Sequence, residues 1–542
     1  MTLPEALRGR GALSRESELC KKGHHCIGDL RLFRRQNWFG GSLALALNRR
    51  RGDGKSVVIG RSGSRLSRGL GLLTLLLVLF SHEPAVAFHG IWLPAFGADQ
   101  AGLAGAFYSA YGSPLVLEEN PALLSRLKGH TIQTSLAVNQ ATIEYRDNYL
   151  DSTTGTYYSN DRTFRPVAPL PALGYGYGGE RFAFGFAVYA QGGGGAGFED
   201  MLRAYPAAES RADSVPSDSV AGNQNSLAKE EVNVRFAILK ATPGFSYRMG
   251  ALSLGLGFDI VHAIKRMDRS YHHLETGALL PGGIHYRSDS AWALGVKAGL
   301  SYNWENLTVA ASFTSASRFY LNGDMRVDSY SDPSTSGVSR YMEWPARFVT
   351  GLEYRAGPYR FVADVSHTLW SYSMNSLLFS LENPSAITPL GTKSPYLRMN
   401  LRWRDQTAIS LGIERRLDQL VLRAGYSYGA TPQTQEGLSP LLGTTVEHHI
   451  SLGLGWFFGQ GEPSSVDLAL QYSLPNTMQG VPFSEWWLGH ALQTDPLRPA
   501  AFQFEKKTQV LSLYLGFTYR WSSTGGDSEM ILTWSSCDSW VH

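Results

Sequence analysis

Leu252-Ser253-Leu254-Gly255-Leu256-Gly257-Phe258-Asp259-Ile260-Val261-His262-Ala263-Ile264 alternates with a period of two. Leu252, Leu254, Leu256, Phe258, Ile260 and Ile264 point to one side of an extended chain, and Ser253, Gly255, Gly257 and Asp259 to the other, the pattern of a strand with one apolar face. The same split recurs at Trp292/Leu294/Val296/Leu300/Tyr302 against Gly295/Lys297/Gly299/Ser301, and at Leu468/Leu470/Tyr472 against Asp467/Gln471. It recurs again at Leu511/Leu513/Leu515/Phe517/Tyr519/Trp521 against Ser512/Gly516/Thr518/Arg520. Alternation alone fits a soluble sandwich as well as a membrane barrel, since either can hide the apolar face.

Connection lengths separate the two. Fourteen segments read as strands: 131–145, 164–177, 181–190, 232–249, 252–265, 290–303, 306–318, 344–356, 358–370, 406–416, 419–430, 446–458, 464–474 and 508–521. Some connections are tight, at Gly178-Gly179-Glu180, Gly250-Ala251, Trp304-Glu305, Gly357 and Leu417-Asp418, with the Gly and polar residues that short hairpins use. Others are long and polar, at 146–163, 191–231, 266–289, 319–343 and 371–405. Short turns on one side and long loops on the other are the asymmetry of an outer-membrane barrel with its turns in the periplasm. The segments are long enough for tilted strands, which cross in about 9–11 residues. Aromatic residues near segment ends, among them Tyr302, Trp304, Tyr354, Tyr359, Trp370, Trp403 and Trp456, read as an interfacial girdle. The expected fold is all-β, a transmembrane antiparallel β-barrel of 14 strands over 130–521, with an even count that returns both ends to the periplasm.

Composition agrees. Charged residues make up 18% and aromatics 12%, with 58 Gly and a mean hydropathy of −0.16, which excludes both a disordered chain and a multi-span helical membrane protein. The net charge of +3 is unevenly placed: residues 1–68 hold 15 basic and 5 acidic side chains, and the rest hold 34 and 41. The body is therefore acidic and offers nucleic acid no basic face. Cys20, Cys26 and Cys537 all lie outside the patterned region. That removes thiolate catalysis and cysteine metal sites from it and suits export through an oxidising compartment.

One apolar run is of the helical kind, Leu70-Gly71-Leu72-Leu73-Thr74-Leu75-Leu76-Leu77-Val78-Leu79-Phe80, with Arg61, Arg65 and Arg68 before it and Ala85-Val86-Ala87 after it. It is shorter than the roughly 18 residues of a spanning helix and reads as a signal peptide over 61–87, cleaved after Ala87. Residues 1–60 read as an extension from a start codon placed too far upstream. Residues 88–129 are apolar and rich in small side chains but do not alternate. This stretch, from Gly102-Leu103-Ala104-Gly105-Ala106-Phe107 through Asn120-Pro121-Ala122-Leu123-Leu124, is expected to form a hatch inside the lumen. Asn120 suits the cap of a short helix, with Pro121 in its first position and Ala122 continuing it. The last strand ends on Gly516-Phe517-Thr518-Tyr519-Arg520-Trp521, which resembles the C-terminal signal read by barrel-assembly machinery, and 522–542 follow as a tail.

Several short runs taken in order resemble one family. Gly102-Leu103-Ala104-Gly105-Ala106-Phe107, Asn120-Pro121-Ala122-Leu123, Ala183-Phe184-Gly185-Phe186-Ala187-Val188-Tyr189-Ala190 and Thr242-Pro243-Gly244-Phe245-Ser246-Tyr247-Arg248 come first. Trp344-Pro345-Ala346, Ala363-Asp364-Val365, Trp403-Arg404-Asp405-Gln406 and Leu422-Arg423-Ala424-Gly425-Tyr426 follow. Together they resemble the FadL/TodX family of outer-membrane transporters for hydrophobic compounds across 88–521. The resemblance implies a barrel blocked by an N-terminal hatch, with no cofactor and no catalysis. It implies capture of long-chain fatty acids or other apolar small molecules at outward loops, a pocket in the lumen, and release into outer-membrane lipid through a kink in the third strand. A monomer is expected.

Gly185 and Gly192-Gly193-Gly194-Gly195 are the candidates for that opening, because consecutive glycines weaken a ladder and permit a bend. Arg360, Arg398 and Arg423 are candidates to bind a carboxylate head group, among lumen charges that otherwise pair with one another. Two other functions suit an outer-membrane barrel. A phospholipase-type hydrolase would need a nucleophile paired with His262 or His367, and no such pattern is evident; a general porin for polar solutes would need an open lumen.

Overall fold

Each of the fourteen alternating segments becomes a strand paired antiparallel with its sequence neighbours. The computed structural model describes residues 90–106, 112–151, 156–206, 225–328, 334–383, 396–459, 463–480 and 503–522. The chain divides into two units, 1–71 and 72–542, and the described residues all belong to the second. The upstream extension, the signal peptide and the tail beyond Ser522 lie outside the described residues.

The wall begins with β1, Gly129–Asp151; β2, Thr156–Phe164 and Val167–Gly178; β3, Phe182–Gly194 and Gly197–Pro206; and β4, Asn225–Met249. It continues with β5, Leu252–His273; β6, Leu279–Ser288 and Ala291–Trp304; β7, Leu307–Thr314, Ser317–Tyr320 and Gly323–Val327; and β8, Ser334–Trp344 and Arg347–Ala356. Next come β9, Tyr359–Thr368 and Ser376–Leu381, and β10, Tyr396–Asn400 and Gln406–Leu417. The last four are β11, Leu420–Gly429; β12, His448–Phe458; β13, Ser464–Gly480; and β14, Gln503–Trp521. β14 closes on β1 from His130–Trp521 to Asn148–Gln503. Closure removes the edge that an open sheet would present to lipid.

The two faces sort as the alternation predicts. On β5, Ser253, Gly255 and Asp259 face inward and are buried, while Leu256 and Phe258 are more than half exposed on the outer surface. The tight turns at Gly250, Glu305, Gly357 and Asp418 each carry a positive φ, the backbone that lets a two-residue hairpin match the twist of its strands.

The strands run further than the alternation predicts, and the expected loops 146–163, 191–231, 266–289, 319–343 and 371–405 contain much ladder. β1 extends to Asp151 and pairs with Thr156–Phe164, and β5 continues to His273 opposite β4 and β6. The reason shows on β5, whose outward side chains are apolar but for His262 as far as Ile264 and then become Arg266, Asp268, Ser270 and His272. Past the lipid the hydrogen bonds continue, but the apolar period that reveals a strand does not.

Side-chain pairs brace this outer region. Arg269 meets Glu230 at 2.6 Å inside the wall. His285 spans Asp268 (3.2 Å) and Asp328 (3.0 Å). Its hydrogen bond to Asp268, helped by the one to Asp328, raises the imidazole above the ordinary histidine value. A raised folded-state value means that the clamp contributes fully below about pH 6.5 and fades as pH climbs through the raised value. Raising the pH from 6 to 9 should therefore lower the amide protection factors of Leu279–Ser288, taken relative to the intrinsic exchange rate at each pH, and His285→Gln should flatten that dependence.

A second expectation concerns the lipid-facing band. Phe258→Arg, placed midway along the apolar outer face of β5, should cost about 2–4 kcal/mol of barrel stability, whereas Ser270→Arg above the band should cost no more than about 1 kcal/mol. Urea unfolding of the protein in liposomes reads the difference.

Candidate functional site

Among the described residues, two pieces of chain pack inside the wall: residues 90–106 with 112–127, and the connection between β11 and β12. The first contains helix α1, Ala98–Ala101, against β12, β13 and β14, and two 3-10 turns, Pro114–Glu118 and Pro121–Arg126, against β2 to β6. Gln100 Oε1 accepts from the Phe96 and Gly97 N–H groups at 2.7 and 2.9 Å, satisfying donors at the start of α1. Both 3-10 turns have Pro in the first position and a capping side chain before it. Ser113 accepts from Leu115 N–H at 3.1 Å, and Asn120 from Ala122 N–H at 3.0 Å.

Asn120 is thus the cap the sequence suggests, although of a 3-10 turn, and it also reaches the wall. Its amide donates to the carbonyls of Leu300 (3.2 Å) and Ala311 (3.0 Å). Glycines make this approach possible: a Cβ on Gly299 would lie 2.0 Å from Asn120 Oδ1, and one on Gly255 would lie 2.2 Å from Ala122 N.

Beside this contact lies a fully buried ionic cluster. Glu118 from the N-terminal segment contacts Lys297 and lies 3.5 Å from Lys240, and it accepts from the Tyr189 hydroxyl at 2.7 Å. Lys240 and Lys297 are also 3.1 and 3.6 Å from Asp259, which accepts from Thr242 at 2.7 Å. Two carboxylates balance two ammonium groups taken from the segment, β4, β5 and β6. A buried set of this kind adds little over an apolar core, but removing one member leaves the rest uncompensated.

Further along the wall the ladder opens. β2 and β3 pair from Gly178–Ala183 only as far as Ala172–Tyr189. The next residue of β2 is Pro171, and Pro169 follows at the same parity. Both pair with β1, opposite Leu136 and Val138, and a proline has no N–H to give that ladder, so these two amide positions turn toward β3. On the other side, the register of β3 against β4 shifts between Ala190 and Gly192. The β3 backbone here pairs with the N-terminal segment: Leu93 N–H donates to Gln191 O at 3.4 Å, and Gly193 N–H donates to Ile91 O at 3.1 Å. Toward the outside, side chains tie the two strands together again. Asn160 exchanges hydrogen bonds with the Leu202 backbone, and Arg162 donates to Glu199 O at 2.9 Å.

An aromatic chain starts at this opening. Trp344 packs against Gly192, where an added Cβ would be 3.1 Å from its ring. Trp92 stacks on Trp344 at 5.2 Å, Trp370 meets Trp344 edge-on at 5.7 Å, and Trp403 meets Trp370 at 5.3 Å. All four are buried, and among the described residues none of their indole N–H groups has a hydrogen-bond partner. The β11–β12 connection covers the far end. Its Thr444 N–H donates to Gly90 O at 3.2 Å, and Lys506 Nζ secures it through the carbonyls of Ser439 (2.9 Å) and Gly443 (2.7 Å). At the turn-bearing end of the barrel lies a separate cavity of about 710 Å³, lined by Arg126, Lys128, Arg248, Arg355, Arg416 and Arg520 among others.

The candidate residues fall as follows. Asn120, Pro121 and Ala122 form the capped turn on the wall. Gly192, Gly193 and Gly194 lie at the opening and Gly195 lies in the interruption of β3 between Gly194 and Gly197, whereas Gly185 stands in regular ladder between Gly176 and Gly244. Arg360 is paired with Glu414 at 2.7 Å, and Arg423 with Glu414 (2.9 Å) and Asp467 (2.7 Å), so both are occupied by the wall's own carboxylates. Arg398 is on β10 opposite Leu378, with its side chain outside the described set. His262 lies against Trp292 with ring centroids 4.6 Å apart, and His367 bonds Thr407 at 2.9 Å. Trp370 and Trp403 belong to the lumen chain and not to the interfacial girdle in which their places at segment ends put them. The available signal was that each begins a break in alternation.

A family model described as outer membrane protein transport protein (OMPP1/FadL/TodX) matches residues 85–521. Among solved structures, a FadL homologue from Pseudomonas aeruginosa is similar at 15% identity and a TM-score of 0.58, covering 79% of this chain and 99% of that one. The toluene transporter TodX of P. putida is similar at 18% identity and a TM-score of 0.55, covering 80% of this chain and 100% of that one. No curated protein matches by sequence.

The ionic cluster makes docking of the N-terminal segment testable. Glu118→Ala should weaken it by about 3–5 kcal/mol, because Lys240 and Lys297 are left with one carboxylate between them. Trypsin should then cut the folded barrel after Arg126 or Lys128 far faster than it cuts the wild type.

Proposed function

Since the chain belongs to the FadL/TodX family of outer-membrane proteins that transport hydrophobic compounds, we propose passive uptake of a long-chain fatty acid or another apolar small molecule. The solute is captured at the outward loops, held beside the tryptophan chain in the lumen, and released sideways between β2 and β3 into lipid. Residues 90–127 act as a hatch that blocks the axial path.

The observation that carries this reading is the end of the β2–β3 ladder at Ala172–Tyr189, with Trp344 and Trp92 directly inside it. Through β4 and β5 the register sets Gly192 level with Ala263, next to the lipid-facing Ile264, so the opening meets the apolar band. A solute leaving there gains about 0.8 kcal/mol for each CH₂ it keeps out of water. The axial route ends instead in a vestibule where Arg126, Arg248, Arg355, Arg416 and Arg520 are among the lining residues, a more polar destination than lipid.

Cysteines placed at Leu170 and Gln191 in a Cys537→Ser background, joined through two disulfides by a bis-methanethiosulfonate, should stop uptake of a fluorescent hydrophobic probe into proteoliposomes. Reduction should restore it. Unchanged uptake after complete bridging would rule out sideways release.

A further inference from the structure

We propose that Arg235, Arg266 and Arg287 form a phosphate-binding row on the outside of the wall, and that its ligand is the phosphorylated glycolipid of the outer leaflet. The proposal does not depend on the route a solute takes. It needs only that the end of the barrel with the long connections faces outward.

The three arginines stand side by side on neighbouring strands. Arg235 on β4 is opposite Arg266 on β5, and Arg266 is opposite Arg287 on β6. All three side chains point away from the lumen and are exposed. Directly opposed residues hold their Cβ atoms about 4.5–5.5 Å apart, and like charges so placed destabilise the pair. A row of three therefore costs the wall something unless an anion lies against it.

The height of the row on the wall points to the kind of anion. Ile264, the last apolar outward residue of β5, is opposite Ala237 of β4, and the row follows about 7 Å further along the strand. On β6 the edge of the apolar band is marked by Trp292, 65% exposed and packed on His262 of β5. An exposed tryptophan of this kind sits at head-group level, so cations just beyond it meet the charged part of the lipid.

Carboxylates do not match the row as they match cations elsewhere at this end. On β1 and β14, Arg146 lies 3.0 Å from Asp161 and 3.4 Å from Glu505, and Lys507 lies 3.0 Å from Glu144. In the row, Arg266 has Asp268, which also serves His285. Asp324 is opposite Arg287 in the ladder, yet among the described residues no carboxylate comes within 4.0 Å of the Arg287 side chain. Arg326, on the same outward face of β7 as Asp324, brings a fourth cation. Guanidinium forks on adjacent strands suit phosphate oxygens. The row covers two strand spacings, about 10 Å, a width that a disaccharide with a phosphate at each end can use. Acyl chains hanging from such a head group would run down the apolar outer face past Trp292 and Ile264.

The test uses the full chain in neutral detergent, with native mass spectrometry as the readout and EDTA present so that no divalent cation bridges lipid to Asp268 or Asp324. The probes are the bisphosphorylated hexa-acyl glucosamine disaccharide that anchors lipopolysaccharide, its dephosphorylated form, phosphatidylglycerol and inorganic phosphate. The wild type should bind the bisphosphorylated lipid about tenfold or more tightly than either other lipid. Arg235→Ser, Arg266→Ser and Arg287→Ser combined should remove that preference, and Arg287→Ser alone should lose part of it. Arg181→Ser with Arg415→Ser, which removes two exposed arginines at the turn-bearing end, should keep it. Equal binding of the phosphorylated and dephosphorylated forms by the wild type, or a preference that survives in the triple variant, would overturn the proposal. Loss of the preference in the Arg181/Arg415 variant would overturn it as well, by showing an effect of net charge alone. Phosphatidylglycerol binding as tightly as the glycolipid, or inorganic phosphate displacing the glycolipid at equal concentration, would overturn the choice of ligand. Heat-modifiable migration of each variant confirms that its barrel is folded.

Discussion

At membrane depth a backbone N–H or C=O without a partner costs several kcal/mol, and lipid supplies no substitute. That requirement closes β14 onto β1 and sets the terms on which the wall can open. Between β2 and β3 the ladder stops, yet the exposed backbone is managed on each side. The β2 edge carries Pro169 and Pro171, which have no donor to leave unpaired. The β3 edge hands Gln191 and Gly193 to Leu93 and Ile91 of the N-terminal segment. The opening exists because a third piece of chain stands in for the missing neighbour.

The same economy governs charge. Inside the wall, most buried ionic groups were positioned from both sides of a contact. Glu118 comes from the N-terminal segment and Lys240, Asp259 and Lys297 from three successive strands, and Glu414 serves both Arg360 and Arg423. Where the wall balances its own cations, they hold structure together.

Much of this was legible in the sequence, and the limits are physical. Strand number and facing were readable because lipid on one side and a packed lumen on the other impose a period of two, as on β5 from Leu252 to Ile264. The outer extensions were not, since beyond Ile264 neither face needs to be apolar. Asn120-Pro121 announced a capped turn from local chemistry alone, but its bonds to Leu300 and Ala311 depend on register almost two hundred residues away. Inward-facing charge could be seen in Arg360 and Arg423, whereas their neutralisation by Glu414 and Asp467 could not. Trp370 and Trp403 looked like girdle residues because place in sequence reports distance along a strand and not the inward turn taken at an interruption.

The N-terminal segment ties these strands of argument together. Were it to leave the lumen as a unit, Gln191 and Gly193 would lose their partners at membrane depth, Lys240 and Lys297 would lose Glu118, and the carbonyls of Leu300 and Ala311 would lose the Asn120 amide. Each loss is a desolvated group without compensation, and the costs fall together. A segment bound on those terms belongs to the wall more than to a swinging door. In the proposed uptake, a solute that enters from outside meets this segment below it and, beside Trp344 and Gly192, an edge that β2 does not pair. On that proposal, going around the segment asks only that the solute move sideways, which for an apolar tail is downhill into lipid.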